Sequence, residues 1–345
     1  MGCRKAPKWA NVATVIRAFP ILTALLATGA WAHDLGLELD GSATTATSNN
    51  PRVGSLGVTA TGGLDVTDDW TLWATLGYRR DLATGTGASG GNLFQLSGGA
   101  MWFGSRFSVL LSVSGSPPSQ IRSAVLVPYG NGRETTAVVF SGSSSIGFTA
   151  GAGVRLGDSL LLAQVNALHY DLTQRYQVAS RVLTAYCQNN PSGPRCALLN
   201  DGLHTDFWQV QLNANWTVTL VDRLDLGLDG AVYFYDSDPA KVGYFSVAVL
   251  GRTVEVGSGV AIAPLLGTVK PFVAYRWSRW SVKASYQLGV YAAGEGLSHV
   301  VAVRPAFKVT DAVKLTLSLV GQGDFGKVGT TFGATAIFGA MWVVE

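Results

Sequence analysis

The chain has 345 residues, of which 48% are hydrophobic and only 14% charged, with a formal net charge of +3. Beyond the N-terminal segment no run approaches the roughly eighteen consecutive apolar residues of a membrane helix. A chain this apolar without such helices can cross a membrane only as a closed barrel, in which every backbone group pairs with a neighbouring strand. The competing reading is a secreted, soluble all-β protein.

Arg4, Lys5, Lys8 and Arg17 precede the apolar run Phe19 to Ala27, which ends in Ala30-Trp31-Ala32. A basic start, a short apolar core and an A-x-A site predict a secretory signal over 1–32, cut before His33, leaving 33–345 as the mature domain. Because all four of those ionic groups are basic, removing them turns +3 into −1. The basic balance therefore gives no reason to expect nucleic acid.

A first strand is predicted in DLGLELD, from Asp34 to Asp40. Six segments then place a tight polar turn between apolar flanks: Asp65–Leu72, Trp102–Val109, Arg155–Leu162, Thr219–Leu226, Tyr275–Val282 and Lys308–Leu315. Each suits a hairpin of two to four turn residues. Longer and more polar connections alternate with them, at Thr45–Arg52, Leu82–Gly91, Pro117–Gly142, Val178–Leu203, Ser237–Glu255, Ala292–Gly296 and Asp324–Lys327. Short and long connections in alternation are how outer-membrane barrels are strung. With a last strand over Thr330–Val344, the expectation is a transmembrane antiparallel up-and-down β-barrel of 14 strands, range 12–16. Two places test the count. Tyr244–Leu266 is either another spanning hairpin or an apolar flap at the mouth, and Asn131-Gly132 after Pro117-Pro118 suggests an extracellular extension.

The clearest alternation runs from Trp208 onward. Trp208, Val210, Leu212, Ala214, Trp216 and Val218 fall on one face, and Gln209, Gln211, Asn213, Asn215 and Thr217 on the other. At about 3.4 Å per residue and a tilt near 40°, Trp208 to Trp216 projects to roughly 20 Å, close to the ~25 Å apolar band of a membrane barrel. Trp70, Trp102, Trp216, Trp277, Trp280 and Trp342 lie within four residues of a tight turn or the C-terminus. Their amphipathic rings belong at the headgroup level.

Alternation also names lumenal charges. Arg79, Arg106, Arg155, Lys270, Arg276, Lys283, Arg304, Lys308 and Lys314 are pore-lining candidates, against Glu38, Asp40, Asp65, Asp225 and Asp229. Fixed positive charge would favour anions; alternatively the charges pair across the lumen. Gly57, Thr59, Thr61, Gly63, Gly147, Thr149, Gly151 and Gly153 would leave room for water on that face, although a glycine can equally mark a bend or a place where a loop packs close. Cys187 and Cys196 flank Pro191, Gly193 and Pro194, and in an exported protein read as a disulfide-closed loop.

No histidine stands two residues from a serine on a strand, as an outer-membrane acyl hydrolase would need. His204, Asp206, Asp236 and Asp238 at adjacent strand ends are a weak match to outer-membrane aspartate-histidine proteases, in the wrong order. His169 and Tyr170 read as rim residues. Gly85, Gly87 and Gly90 fit a G-x-G-x-x-G string with no helix behind it, which excludes a nucleotide site. The chain is expected to be no enzyme, with no metal and no cofactor.

By signal, alternation, turn pattern and C-terminal strand, the sequence resembles the bacterial outer-membrane β-barrel proteins over nearly its full length. Phe338, Ala340, Trp342 and Val344 alternate as in their final strands, although Glu345 replaces the terminal aromatic. The resemblance implies a place in the outer membrane, with the lipid bilayer, the barrel-assembly machinery and small solutes as partners. A 14-strand barrel with an apolar loop is also similar to the fatty-acid and aromatic-hydrocarbon channels of this class, without a family motif. The expected function is a porin-like passive channel for small solutes, leaning towards anions. The alternatives are a non-conducting structural or adhesive barrel with partner-binding loops, or a hydrophobic-substrate transporter.

Overall fold

A computed structural model describes residues 34–46, 52–84, 90–129, 133–178, 185, 187–189, 203–237, 265–294, 296–326 and 329–344. The expected signal segment lies outside these residues. Fourteen strands form the wall: β1 (Asp34–Ala46), β2 (Arg52–Thr67), β3 (Trp70–Thr84), β4 (Gly90–Phe103), β5 (Phe107–Tyr129), β6 (Arg133–Leu156), β7 (Ser159–Val178), β8 (Leu203–Val221), β9 (Leu224–Tyr235), β10 (Leu265–Arg276), β11 (Trp280–Tyr291), β12 (Gly296–Lys308), β13 (Val313–Gly326) and β14 (Gly329–Val344). Each pairs antiparallel with its neighbours in the chain, and β1 closes the ring on β14 from Leu35↔Val344 to Ala46↔Gly333. All six expected tight turns are hairpins of this wall. The β6–β7 turn carries Gly157 at φ 60, a backbone state that side-chain-bearing residues seldom adopt. Adjacent hairpins are also tied at this rim: Arg155 N donates to Arg106 O at 2.8 Å, and Lys308 N to Arg279 O at 2.8 Å.

Both doubtful places resolve to fourteen strands. β9 pairs directly with β10, from Leu224↔Tyr275 to Val232↔Gly267, so no strand stands between them over that length. Residues 238–264, which include most of the expected apolar flap, lie outside the described residues. Asn131-Gly132 falls between β5 and β6, whose pairing continues upward past Pro117-Pro118 to Tyr129↔Arg133. That hairpin is an extension of two existing strands.

Burial runs opposite to that of a water-soluble fold. On β8, Trp208, Leu212 and Trp216 are 39%, 44% and 45% exposed, while lumenal Phe207 and Gln209 are 1% and 3%. The same register carries exposed apolar residues round the outside, such as Leu111, Phe148, Val165, Leu228, Val301 and Phe338. Trp70, Trp277, Trp280 and Trp342 are exposed at the tight-turn end, the periplasmic end of such barrels. A soluble sandwich or β-helix is thereby excluded, and the chain is an outer-membrane-type β-barrel.

Leu212 sits midway along β8 on the lipid face, so Leu212→Arg is expected to cost about 2–4 kcal/mol, whereas Gln211→Arg on the lumenal face costs far less. Denaturant unfolding of the two variants in lipid vesicles measures the difference.

Candidate functional site

The basic residues assigned to the lumen occupy its register, but they spread over its height and several are paired. Arg79 reaches across β2 to Asp40 at 3.2 Å, Lys270 meets Asp229 at 3.3 Å and Arg276 meets Asp225 at 2.9 Å. Lys308 bonds Asp311 in its own turn at 3.0 Å, and Lys283 lies 3.6 Å from the centre of the Phe272 ring. Arg106, Arg155 and Lys314 stand at the periplasmic end. Arg304 faces the central cavity, with no carboxylate within ion-pair distance among the described residues. Of the acidic set, Asp65 accepts from the Thr71 hydroxyl at 2.5 Å. Pairing of this kind leaves no continuous ring of fixed positive charge, which is the physical basis of an anion-leaning, porin-like pore.

The lumenal glycines do not leave open water. A Cβ at Gly57 would run into the Asp40 carboxylate, at Gly147 into Leu168, at Gly151 into Gln164 and at Gly153 into Leu162. Long side chains from β7 lie over the bare backbone of β6, as close packing across a strand pair allows. Of the two readings of these small residues, close packing holds on that side of the barrel and an open passage does not.

Space remains in the centre and towards the periplasm. A cavity of about 510 Å³ is lined by residues from β4–β13, including Gln95, Gln164, Gln211, Asn213, Gln287 and Arg304. A second, of about 440 Å³, opens at the periplasmic end around Met101, Phe103, Arg106 and Arg155. Leu162 and Gln164 line both, so the two volumes meet at these side chains.

Above the central cavity the lumenal face of β7–β9 turns aromatic. Tyr170 and Phe207 stack with centroids 5.3 Å apart, Phe207 lies 6.3 Å from Tyr235, and Leu172 is fully buried beside them. Gln209 donates to the Tyr235 hydroxyl at 3.2 Å, and that hydroxyl donates to Leu265 O at 2.8 Å, fixing the ring against the start of β10. Below this cluster β8 presents an amide ladder: Gln211 Nε2 donates to Asn213 Oδ1 at 2.7 Å and to the Tyr233 hydroxyl at 3.3 Å, and Asn215 donates to Asp229.

The longest interruption of the ladder among the described residues lies beside this cavity; shorter lapses, without a shift of register, occur at Pro271 between β10 and β11 and at Pro305 between β12 and β13. β4 and β5 pair from Phe103↔Ser108 up to Leu96↔Gly115, then not again until Gly91↔Ile121. The residues between, Asn92 to Gln95 and Ser116 to Gln120, differ in number by one, and β5 has the same extra residue against β6 between Ser116↔Ser145 and Ser119↔Ser143. Pro117-Pro118 is the cause, since neither residue has an N–H to give to a ladder. Gln95, Ser114, Gly115 and Ser116, at or within the break, all line the central cavity. Over β13 and β14 the wall is thin but continuous. An apolar groove of about 580 Å³ lies over Gly321, Gly323 and Ala334 between Val301, Phe325 and Phe332, where β13 and β14 pair without a gap.

The protease-like residues converge on the outer face. His169 Nε2 lies 3.6 Å from Asp206 and His204 Nε2 lies 3.2 Å from Asp171, while the His169 ring packs 5.0 Å from outward Trp208. Asp236 accepts from Trp208 N at 2.9 Å, and Asp238 lies outside the described residues. These are clasps between strand ends, aimed away from the lumen. Cys187 is buried, and Cys196, its expected disulfide partner, lies outside the described residues. Sequence reasoning missed the aromatic cluster and the break in the wall. The signal for the latter was present in Pro117-Pro118, read only as the base of a loop.

No family model matches the chain, and no curated protein matches it. Solved structures do. The CymD monoaromatic hydrocarbon channel aligns with a TM-score of 0.56 at 12% identity, over 93% of this chain and 91% of that one. A Pseudomonas aeruginosa FadL homologue gives 0.55 at 10%, over 90% and 89%. The Ralstonia pickettii toluene transporter TbuX gives 0.54 at 10%, over 91% and 90%. These likenesses establish the fold, a bacterial outer-membrane barrel of fourteen strands.

Phe207 is 1% exposed at the centre of the aromatic cluster. Phe207→Ala is expected to lower the unfolding free energy by about 3–5 kcal/mol, read from denaturant melts of the vesicle-inserted protein.

Proposed function

We propose that this barrel carries small hydrophobic solutes, entering from the outer face through the aromatic upper lumen and leaving sideways between β4 and β5. The observation that carries this reading is the interrupted ladder at Pro117-Pro118, whose edge residues line the central cavity. A water-filled pore has no use for a break in its wall, and bilayer contact with unpaired backbone costs several kcal/mol per group. Prolines reduce that cost by removing two donors. The fold likeness supports the reading, since the matched structures include channels described for monoaromatic hydrocarbons and toluene. The protein acts as a conduit, without catalysis or cofactor. Insertion by the assembly machinery through β14, and closure of the loop between β7 and β8 by a Cys187–Cys196 disulfide, belong to the same proposal.

A second reading keeps a route for polar solutes. It is favoured by Arg304 in the central cavity and by Arg106 and Arg155 around the periplasmic one. In that case the basic lumenal set would bias selectivity towards anions.

Deleting Pro118 together with Pro117→Val removes the extra residue against both neighbours and restores the missing donor. Toluene uptake by cells that depend on this barrel is expected to fall to background, with the heat-resistant folded form intact on gels. Unchanged uptake in the sealed barrel, with chloride-selective conductance in planar bilayers, would favour the second reading instead.

A further inference from the structure

The aromatic cluster ends where the amides begin, and a bare hydrocarbon has no use for the latter. Gln95, Gln164 and Gln287 reach the central cavity from β4, β7 and β11, and none makes a hydrogen bond to the protein among the described residues. They share this cavity with the ladder of Gln211 and Asn213 on β8, where Gln211 Oε1 and Asn213 Nδ2 are likewise uncommitted. Lys270 is neutralised by Asp229 at 3.3 Å, so Arg304 is the one cation there without a carboxylate within ion-pair distance among the described residues. At about 510 Å³ the volume suits a small ligand.

Side-chain amides offer a donor and an acceptor from one neutral group. A ligand satisfying several of them must do both in return. A carboxylate can accept but has no proton for the amide oxygens, and a hydrocarbon leaves every amide unpaired. A hydroxyl gives one hydrogen and accepts on its lone pairs. Tyr170, on the wall of the same cavity, belongs to the stacked cluster above and supplies an apolar surface for a ring.

We infer that the central cavity is a binding site for hydroxylated aromatics, with the phenolic hydroxyl held among Gln164, Gln211 and Gln287 and the ring directed up towards Tyr170. This rests on the proposed hydrophobic-solute function and names its substrate class. Selection follows from what is left unpaired: a site built of amides rejects the analogue lacking the hydroxyl, because its polar groups then gain nothing for the water they lose.

The test is calorimetric titration of the full barrel in lipid nanodiscs, with empty nanodiscs as the partition control. The probes are p-cresol, toluene, 4-methylbenzoate and glucose. Two neutral hydrogen bonds correspond to about tenfold in affinity, so p-cresol is expected to bind about tenfold tighter than toluene and tighter than the other two. Gln211→Leu is expected to bring the p-cresol to toluene ratio close to one. Gln287→Leu, three strands further round the wall on β11, repeats the measurement if the first variant fails to insert. Equal affinities for p-cresol and toluene would overturn the inference while leaving the hydrophobic conduit intact. Preference for 4-methylbenzoate would overturn it in favour of charge selection by Arg304, and glucose binding equal to that of p-cresol would remove the ring from recognition. No binding of any probe, together with toluene uptake at background for the unaltered barrel, would bring down both readings.

Discussion

Every feature of this molecule depends on a backbone that cannot leave its polar groups unpaired in hydrocarbon. For a chain without spanning helices the solution is a sheet whose last strand pairs with its first, which β1 and β14 do along nearly their whole length. Once the ring is closed, alternation does the rest. One set of side chains must dissolve in lipid and the other must fill or wet the interior. The outward tryptophans near the tight turns and the inward amides of β8 are consequences of the same geometry, and neither requires a core of the kind a soluble protein buries.

That is why so much of the fold was legible from residue order. The period-two pattern of β8, the six turn segments and the position of the tryptophans are local signals, each contained within about ten residues, and a barrel is assembled from local hairpins. What the lumen contains was legible only in part. Asp40 and Arg79 lie 39 positions apart and meet because β2 is narrow between them, with Gly57 making the room. No pattern of spacing announces such a pair. Counting basic residues on the lumenal face therefore left a field and cross-lumen pairing both open, because it could not see which carboxylate each cation would find. The glycines of β6 stayed open in the same way: without the register, nothing says that Leu162, Gln164 and Leu168 lean across them.

The interior that results is graded. Aromatic rings near the extracellular end give way to neutral amides in the middle and to arginines at the periplasmic mouth. An apolar solute descending this gradient gains from the first zone and loses in the last, so the periplasmic exit is the least favourable way out for it. A polar solute meets the opposite order. Gradient and side break thus agree with one another, since a barrel that discourages apolar solutes at its lower end has reason to release them through its wall.

Two departures from a uniform wall show how a barrel can be locally weakened, and they differ in kind. Over β13 and β14 the glycines strip side chains from the outer face, but each residue from Val313 to Gly326 still has its partner from Trp342 to Gly329. Glycine thins a sheet without opening it, because its N–H and C=O are unchanged. Pro117-Pro118 does the reverse. It keeps its side-chain bulk but removes the donors, and one surplus residue puts the flanking ladders out of step with both neighbours. Only the second kind of defect breaks the ladder between two strands, and the prolines take donors away from β5 while the N–H groups of Asn92 to Gln95 on β4 remain. This is the physical reason for placing the side passage at the prolines rather than beneath the larger and more apolar groove on the far wall.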